Sequence, residues 1–419
     1  MHDFEYRGNR FYCEDVLVSD IAKKVGTPFY LYSYKTITEH LIKIERAFAS
    51  VKPLVCFAMK ANDNLAVIKT LANQGAGFDI VSLGELRKAL MVGADPQKIV
   101  FASVGKTEEE ITEAINAKIL LFNVESLPEL EEINRVASNL NQKIRVALRI
   151  NPDVAAATHA KITTGTLKNK FGIDLATARK IMKSHAKFTN IRFSGLHVHI
   201  GSQITTSKPF INALKRVVEF IDQLKKDGIR LEYLDIGGGL AAIYKDEKVQ
   251  SAQDFANAVL PILQKSALKI IMEPGRFIVA NAGIFVTKVL YLKDNGVKKF
   301  LIVDGGMNDL IRPAFYDAYH EIIPVHKNGT VKKSTVDVVG PICESGDYFA
   351  KDRLLPVMKK NDLVAIMTAG AYGYVMASNY NVRGRAPEVI VKGNQFAVAK
   401  KRETFEDLLR GESIPEFIR

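Results

Sequence analysis

The chain has 419 residues, of which 47% are hydrophobic and 25% charged. This is a globular composition, long enough for a large barrel with a second domain or for two to three ordinary domains. The 58 Lys and Arg residues exceed the 46 Asp and Glu residues by 12, but they occur as scattered pairs without a dense basic run, which argues against a nucleic-acid-binding protein and leaves some bias toward anionic small molecules.

From about residue 53, short β-branched or aromatic runs alternate with longer helical patterns. Eight runs are predicted strands: 54–60, 78–82, 99–104, 119–124, 144–150, 193–200, 231–237 and 269–275. Helices are predicted between them, for instance at 107–116, 126–140 and 208–227, because acidic first turns, an early proline or a following glycine mark their ends. Eight β/α units predict a closed (β/α)8 barrel, with an open doubly wound sheet as the alternative.

After residue 280 the apolar runs follow one another with loops or short helices between them, as in antiparallel β structure. These runs are 284–292, 299–304, 334–339, 363–368 and 387–391. The N-terminal run RFYCEDV can pair with this region before FYLYS (29–33) leads into the barrel. We therefore predict an α/β fold with a TIM-like (β/α)8 barrel over 28–280 and a second, mainly antiparallel β domain formed by 1–27 and 281–419.

The three cysteines, Cys13, Cys56 and Cys343, lie far apart and lack a C-x-x-C spacing. Neither a disulfide framework nor a zinc site is therefore expected. The start of the chain has acidic residues and no apolar signal-peptide core, and no run of about 18 apolar residues occurs. These features predict a cytoplasmic protein without a metal and without membrane or nucleic-acid partners.

Catalytic groups of such a barrel gather at the carboxyl ends of its strands. Five of the eight predicted ends carry polar residues or glycines, namely Lys60, Asp79, His197 with His199, Gly237 to Gly239, and Glu273 with Arg276. A lysine at a strand end is most often solvated, but chance does not readily place this set at five ends. The sequence thus predicts an active site at this end of the barrel.

Three consecutive glycines, 237–239, can bring backbone N–H groups around a phosphate because no Cβ is in the way. A tight turn alone also explains such a triplet. Arg276 offers charge to a phosphate or carboxylate, with a structural ion pair as the alternative. Glu273 ends the apolar run KIIM, where a buried carboxylate needs a cationic or hydrogen-bonding partner.

His197 and His199 share one side of an alternating strand. Two histidines at this spacing can bind a metal, but no third ligand has an obvious place. We expect His197 to be a satisfied core histidine. His199, close to Gly201, is better suited to stack its flat ring on a flat ligand.

Together these groups favour pyridoxal 5′-phosphate as the cofactor. It needs a lysine for covalent attachment, backbone donors for its phosphate, a flat side chain against its ring and an acid near its pyridine nitrogen. A carboxylate at that nitrogen stabilises the protonated ring, which withdraws electrons more strongly. Lys60 is the candidate for attachment, since a lysine that loses solvation in a closed site becomes a better nucleophile.

Motifs along nearly the whole chain resemble the fold-type III pyridoxal-phosphate enzymes with alanine-racemase-like barrels. FAMKAN (57–62), HIGSQ (199–203) and EPGR (273–276) are typical of the wider decarboxylase group. DGGMNDLIRPAFY (304–316) and GPICESGD (340–347) are closer to the diaminopimelate decarboxylase family in particular. Further matching motifs are GFDIVSLGEL (77–86), NKFGI (169–173), GLHVHIGSQ (195–203), DIGGGL (235–240) and GAYG (370–373). Ala241 and Ala242 depart from the family, where a further glycine is usual.

The resemblance implies a role for each matching residue. Catalytic roles fall to Lys60, His199 and Cys343. The resemblance implies that Cys343 enters the site from the other subunit of a homodimer, together with Glu344, and acts as a proton donor. The cofactor would contact Lys60, Asp79, His199, Ser202, Gly238, Gly239, Glu273, Gly275, Arg276 and Tyr372. The substrate would contact Arg276, Arg312, Tyr316, Glu344 and Tyr372.

The family also implies an activity, the decarboxylation of meso-2,6-diaminopimelate to L-lysine and CO2, the last step of lysine biosynthesis. A substrate with an amino-acid group at both ends needs a carboxylate clamp, for which Arg312 is suited, and an ammonium acceptor, for which Glu344 is suited. Decarboxylation of ornithine, arginine or carboxynorspermidine is the alternative, but ornithine and arginine have no distal carboxylate for Arg312. A racemase or a noncatalytic cofactor carrier fits the motifs less well.

Overall fold

A computed structural model describes residues 2–154, 170–327, 329 and 332–418. The chain divides into two compact units. One unit is Ile37–Val279, and the other combines the residues up to Thr36 with those from Ala280 onward. None of the helices in these described ranges is long and apolar enough to cross a membrane.

The strands of the described residues are, in chain order, β1 (Phe4–Arg7), β2 (Arg10–Cys13), β3 (Val16–Leu17), β4 (Phe29–Ser33), β5 (Leu54–Ala58), β6 (Gly77–Ile80), β7 (Ile99–Ala102), β8 (Leu121–Val124), β9 (Ile144–Asn151), β10 (Ile173–Asp174), β11 (Ile191–His197), β12 (Tyr233–Asp235), β13 (Lys269–Met272), β14 (Gly283–Asp294), β15 (Lys299–Val303), β16 (Ile322–Pro324), β17 (Lys333–Val339), β18 (Tyr348–Pro356), β19 (Leu363–Ile366), β20 (Glu388–Lys392) and β21 (Gln395–Lys400).

The α-helices of the same residues are α1 (Val18–Val25), α2 (Tyr34–Ala47), α3 (Leu65–Asn73), α4 (Leu83–Met91), α5 (Glu108–Asn116), α6 (Leu127–Asn139), α7 (Leu175–Lys183), α8 (Lys208–Lys226), α9 (Ala252–Ser266), α10 (Arg276–Val279), α11 (Arg312–Tyr316) and α12 (Phe405–Leu409).

The unit Ile37–Val279 contains a closed barrel of eight parallel strands. Neighbouring strands follow the order β9, β11, β12, β13, β5, β6, β7 and β8, and pairing of β8 with β9 closes the ring. The short β10 adds to β9 outside the ring. The predicted (β/α)8 barrel is confirmed, and each of the eight predicted runs supplies one of its strands.

Local sequence signals account for the ends of the barrel helices. Thr107 caps α5 through a reciprocal capping box with Glu110, and Ser126 caps α6, which has a proline in its first turn. These contacts satisfy backbone N–H groups that have no partner within the helix. Past the end of α8, Gly228 takes a φ of +80°, a conformation open to glycine without strain.

The barrel strands are buried on both faces, so their sequences are nearly continuous apolar runs rather than alternating ones. Four phenylalanines in successive strands, β5 to β8, show this burial. The side chains without exposed surface are Phe57, Phe78, Phe101 and Phe122. Burial of each such side chain contributes about 2 kcal/mol. Polar residues at the carboxyl ends of these strands therefore interrupt an otherwise apolar pattern.

The other unit is built mainly of antiparallel strands, as predicted. Its larger sheet runs β18, β17, β15, β14, β4, β20 and β21, with β19 paired to both β14 and β16. The strands β1, β2 and β3 form a small antiparallel sheet, and Phe11 of β2 donates its backbone N–H to the carbonyl of Val325 at 3.1 Å. The N-terminal run RFYCEDV thus contributes to this unit.

Strand β4 lies in this larger sheet, although the sequence places FYLYS at the entrance to the barrel. It pairs with β14 on one side and β20 on the other. All five of its residues are buried. A short strand that is apolar on both faces requires an interior position in a sheet. Both the barrel and the larger sheet of the other unit offer such a position, so the apolar pattern of FYLYS does not distinguish between them.

Candidate active site

Lys60 lies just after β5, in a 3₁₀ turn that spans Met59–Ala61. Its amine donates a hydrogen bond to Oδ2 of Asp79 at 2.6 Å. Asp79 belongs to the neighbouring strand β6, where it stands opposite Ala58, and its side chain is fully buried while that of Lys60 is 35% exposed. Lys60 is therefore an ion-paired lysine at the barrel's carboxyl end and not a freely solvated one.

The Asp79 carboxyl has an unusual charge balance. Burial raises its pKa to about 6, Glu273 acts in the same direction, and Lys60 opposes both. Its Oδ1 is buried and has no hydrogen-bond partner among the described residues. A carboxyl of this kind beside an amine can hold or release a proton close to neutral pH.

Glu273 follows β13 and carries a buried carboxylate. Its Oε1 accepts a hydrogen bond from Asn123 Nδ2 at 3.1 Å, and its Oε2 lies 3.2 Å from His197 Nε2. Burial by itself raises the pKa of Glu273, but His197 and then Lys60 and His199 hold it below its ordinary value. The barrel therefore contains a buried anion supported by His197, which the sequence suggested only as a core histidine.

The glycine triplet follows β12 and approaches the backbone of Glu273 closely. A Cβ on Gly238 would lie 2.2 Å from the Glu273 carbonyl oxygen. A Cβ on Gly239, whose φ is +116°, would lie 2.7 Å from the carbonyl oxygen of Gly201. Only glycines fit at these two positions, where the loop packs directly on neighbouring carbonyl groups.

His199 is oriented by that loop. The N–H of Gly238 donates to His199 Nδ1 at 3.1 Å, so this nitrogen carries no proton. Burial lowers the pKa of His199 well below its ordinary value, with Arg149 and Lys60 acting in the same direction. His199 is thus a neutral flat ring in a fixed orientation, as stacking requires.

Arg276 begins α10 and is largely buried, with 6% exposure. Its Nε donates to Ser202 Oγ at 3.1 Å and its Nη1 donates to the hydroxyl of Tyr244 at 2.7 Å. A Cβ on the preceding Gly275 would lie 3.0 Å from the Cβ of Ala61, so the loop packs tightly on the turn that carries Lys60. A guanidinium and a hydroxyl side by side are suited to bind an anionic oxygen.

Two further polar residues at strand ends join this site, Asn123 of β8 and Asp235 of β12. Asn123 Nδ2 donates to both Asp235 Oδ2 and Glu273 Oε1, and Asp235 Oδ1 accepts from the N–H of Gly237 at 2.9 Å. The sequence interpretation missed both residues. The available signal was a single polar residue near the end of an otherwise apolar strand, in ILLFNV and in LEYLDIG.

A buried ion pair lies on the neighbouring part of the barrel and was also missed. Arg149 Nη1 donates to Glu125 Oε1 at 2.8 Å, and Glu125 Oε2 accepts from the N–H of Gly172 at 3.2 Å. The Arg149 guanidinium lies 4.7 Å from the ring centre of Phe171. The motif NKFGI is thereby attached to the ion pair through Phe171 and Gly172, while its first residue, Asn169, lies outside the described residues.

In the other unit, Arg312 begins α11 and is 6% exposed. Its Nε lies 3.4 Å from His320 Nε2, and its guanidinium carbon lies 5.7 Å from the ring centre of Tyr316. His320 Nδ1 is 2.8 Å from the carbonyl oxygen of Met367. Because a guanidinium only donates, His320 accepts through Nε2 and donates through Nδ1, so the ring is neutral and orients Arg312. The sequence interpretation missed His320.

Cys343 and Glu344 are exposed on the loop 340–347. Hydrogen bonds to Asp347, near the end of this loop, hold it in place. Asp347 accepts the N–H groups of Met307 and Ile342, each at 2.7 Å. The backbone N–H of Cys343 donates to an asparagine side chain at 2.8 Å. The loop thus has a defined backbone while its thiol and carboxylate face outward.

Tyr372, in the motif GAYG, has a φ of +55°. A non-glycine residue rarely adopts this left-handed conformation, and it is found disproportionately at functional sites. A Cβ on the next residue, Gly373, would lie 2.5 Å from the carbonyl oxygen of Ala369 and 2.9 Å from the ring of Tyr30. Close packing therefore holds the half-buried Tyr372 in this conformation.

The structure thus gathers the predicted site residues into two groups. The carboxyl end of the barrel brings together Lys60, Asp79, His199, Ser202, Gly238, Gly239, Glu273, Gly275 and Arg276. The other unit carries Arg312 and Tyr316 on one helix, Cys343 and Glu344 on one loop, and Tyr372 in GAYG.

Comparison with known proteins points to one family. Residues 34–280 match the family described as pyridoxal-dependent decarboxylase, pyridoxal binding domain. The chain is 45% identical to the diaminopimelate decarboxylase of Haemophilus influenzae, over 99% of this chain and 100% of that protein. Two solved structures with L-lysine are similar. The Helicobacter pylori diaminopimelate decarboxylase has a TM-score of 0.90 and 41% identity, with 94% of this chain and 98% of that chain covered. The M. jannaschii diaminopimelate decarboxylase has a TM-score of 0.95 and 38% identity, with both chains fully covered.

The close packing of the glycine loop, residues 237–239, can be tested directly. We expect Gly238→Ala to lower the free energy of unfolding by about 1–3 kcal/mol, the usual effect of overpacking, because the new Cβ overlaps the Glu273 carbonyl. Gly84→Ala is the matched control, since it lies inside α4 and its nearest neighbour would be 3.8 Å away. This control should raise stability by about 0.5–1 kcal/mol. Urea unfolding of both variants measures the difference, and equal stabilities would contradict the geometry of the loop.

Proposed function

This chain belongs to the pyridoxal-dependent decarboxylases, and within them to the diaminopimelate decarboxylase family, and on that premise we propose that it converts meso-2,6-diaminopimelate to L-lysine and CO2. One observation from the structure carries the proposal. The carboxyl end of a single barrel holds an ion-paired lysine, Lys60, and a buried anionic carboxylate, Glu273, on neighbouring strands.

The residues present fit pyridoxal 5′-phosphate as the cofactor. The glycine loop carries no side chains at the end of β12, and Ser202 and Arg276 stand together as donors for a phosphate. His199 is a neutral ring of fixed orientation, and Glu273 supplies an acid in its charged form. When bound, this cofactor supplies an electron sink for the electrons left behind by departing CO2.

Each barrel residue has a defined task in this proposal. Lys60 would hold the cofactor covalently, and Asp79 would hold a proton at the lysine nitrogen. His199 would supply the flat side chain for the ring of the cofactor. Glu273 would supply the acid for its pyridine nitrogen, because a negative charge stabilises the protonated form. Ser202, Gly238, Gly239, Gly275 and Arg276 bind the phosphate region.

The proposal also assigns the residues that bind the substrate. Arg312 binds the distal carboxylate of the substrate, supported by its burial and by the neutral His320 that orients its guanidinium. Glu344 accepts the distal ammonium, and Tyr316 and Tyr372 complete the contacts, with Arg276 shared between cofactor and substrate. A bidentate arginine distinguishes a planar carboxylate from a spherical anion.

We further propose that two copies of the chain form a homodimer in which Cys343 and Glu344 act in the site of the partner subunit. Cys343 or Lys60 then protonates the carbon from which CO2 departs. The exposure of Cys343 and Glu344 on an anchored loop supports this arrangement.

The three cysteines are free thiols, which supports a reducing, cytoplasmic location.

The substrate assignment is tested with purified protein loaded with pyridoxal 5′-phosphate. We expect L-lysine and CO2 in equal amounts from meso-diaminopimelate, and at least about a hundredfold lower kcat/KM with ornithine or arginine, because these lack the second carboxylate that Arg312 binds in the proposal. Chromatography of the amino acids and trapping of CO2 measure both products. Faster turnover of ornithine or arginine would replace the proposal with the alternative decarboxylase.

The role of Lys60 is tested by Lys60→Ala. We expect loss of the visible absorption of the covalently bound cofactor and a fall in kcat of at least about a thousandfold, because no other amine takes its place. Lys88→Ala is the matched control, since Lys88 is another ion-paired lysine of the barrel, bonded to Asp63 at 2.5 Å and 34% exposed. The control should keep both properties. A Lys60→Ala protein that retained absorption and activity would show that the lysine has been misassigned.

The role of Arg312 is tested by Arg312→Lys. The lysine keeps the charge but loses the two parallel N–H donors, so we expect KM for diaminopimelate to rise about 10- to 100-fold with a smaller change in kcat. Arg385→Lys in the same unit is the control, because Arg385 bonds Glu403 at 2.9 Å and has no role in the proposed site. Unchanged steady-state kinetics in Arg312→Lys would remove the carboxylate clamp from the proposal.

A further inference from the structure

Four buried polar side chains at the ends of four barrel strands form one hydrogen-bonded group, which we call the Glu273 network: Asn123, His197, Asp235 and Glu273. None is more than 3% exposed. They belong to β8, β11 and β12 or directly follow β13. Glu273 has a role in the proposed function, whereas Asn123 and Asp235 have none so far.

The two carboxyl groups of the network lie close together in a buried site. A carboxylate oxygen of Asp235 is within 4.8 Å of one of Glu273, and two negative charges at this distance repel strongly, so we expect one of the two carboxyls to keep a proton. The amide of Asn123 donates to both carboxyls, at 3.2 Å to Asp235 and 3.1 Å to Glu273. The amide thus bridges the pair and fixes their relative position.

The surroundings decide which carboxyl keeps the proton. Two like charges this close in a buried site cannot both persist. Glu273 has His197 at 3.2 Å, and Lys60 and His199 also favour its charged form.

Asp235, in contrast, has neutral donors, the amide of Asn123 and the N–H of Gly237. Burial raises the pKa of Asp235 well above its ordinary value, and Glu273 adds to the effect. The titratable groups that interact electrostatically with the pair are Cys56, Lys60, Asp79, His197 and His199. Of these, Asp79 is the remaining carboxylic acid, and it interacts with Glu273.

We propose that Asp235, fixed by Asn123, is a positioning residue that donates a hydrogen bond from its neutral carboxyl to Glu273 and so keeps Glu273 as the single anion opposed to the cofactor ring nitrogen. This inference rests on the cofactor assignment in the proposed function. No bond other than a hydrogen bond forms, and the proton stays on Asp235. Its consequence is that the charge state of the ring depends on two residues that do not touch it.

A divalent cation is the competing interpretation of the same atoms. One ligand atom from each of His197, Asp235 and Glu273 lies within 4.8 Å of the others, and two carboxylates with an imidazole are common metal ligands. A cation there would displace the proton from Asp235 and neutralise Glu273. The ring nitrogen would then lose its negative partner, so the two interpretations predict opposite states of the cofactor.

The test compares Asp235→Asn, Asp235→Ala and Glu273→Gln, each loaded with pyridoxal 5′-phosphate labelled with ¹⁵N in the ring and measured without substrate. We expect Asp235→Asn to keep the chemical shift of a protonated ring nitrogen, because its amide is neutral and still donates. Glu273→Gln should show the unprotonated shift. In Asp235→Ala, cofactor affinity should fall about 10- to 100-fold, the effect of losing one hydrogen bond to a charged group.

Val136→Ala is the control for general loss of barrel stability, since Val136 is a buried apolar residue of the outer helix α6. It should change neither the ring-nitrogen shift nor the cofactor affinity. The proposal is overturned if Asp235→Asn moves the shift as far as Glu273→Gln does, which would mean that the native Asp235 is charged. It is also overturned if Asp235→Ala leaves both readouts as in the wild type.

Metal analysis of the purified wild-type protein completes the test. One equivalent of a divalent metal that is lost in Asp235→Asn would establish the cation and reject the shared proton. If Asp235→Ala does not fold, the shifts of Asp235→Asn and Glu273→Gln still decide the question. Failure of the proposed function is separable, because a wrong substrate leaves these substrate-free measurements intact and a wrong cofactor shows as absence of binding in the wild type.

Discussion

Closure of the barrel is the constraint on which the remaining structure depends. Because β13 pairs with β5 and β8 pairs with β9, the carboxyl ends of all eight strands lie around one opening. Lys60 and Glu273 come from opposite ends of the barrel sequence and become neighbours only through this closure. In an open doubly wound sheet of order 3-2-1-4-5-6, the first strand is central and the last is at an edge, so a lysine on the first strand and a carboxylate on the last would not lie on neighbouring strands.

In a closed apolar barrel, each buried charge at the carboxyl end of the strands needs a neighbouring charge or hydrogen-bonding group to stabilise it. Asp79 is fully buried against the partly exposed Lys60, and Glu273 is supported by a histidine and an amide. Unpaired charges at such depth are too unfavourable to persist. The charge states of the site are therefore properties of the whole set, and a substitution at Asp235 is felt at Glu273 without any change in Glu273 itself.

The second unit shows the same principle with a different cation. Arg312 is buried, and its orientation depends on a neutral histidine that is in turn bonded to the backbone carbonyl of Met367. The arginine thus keeps its charge while its donors point in defined directions. A substrate carboxylate is what such a preorganised guanidinium recognises best.

The sequence by itself determined the local elements and the chemistry. Apolar runs, capping residues and glycines were sufficient to predict all eight barrel strands, and motifs such as FAMKAN and EPGR predict site roles for Lys60 and Glu273. It did not determine which sheet receives FYLYS, because a strand that is apolar on both faces fits the interior of either. Nor did it identify Asn123, Asp235 or His320. Asn123, for example, meets partners 112 and 150 residues away. Such contacts leave no periodic or local pattern, so only the tertiary structure decided which polar residues support the site.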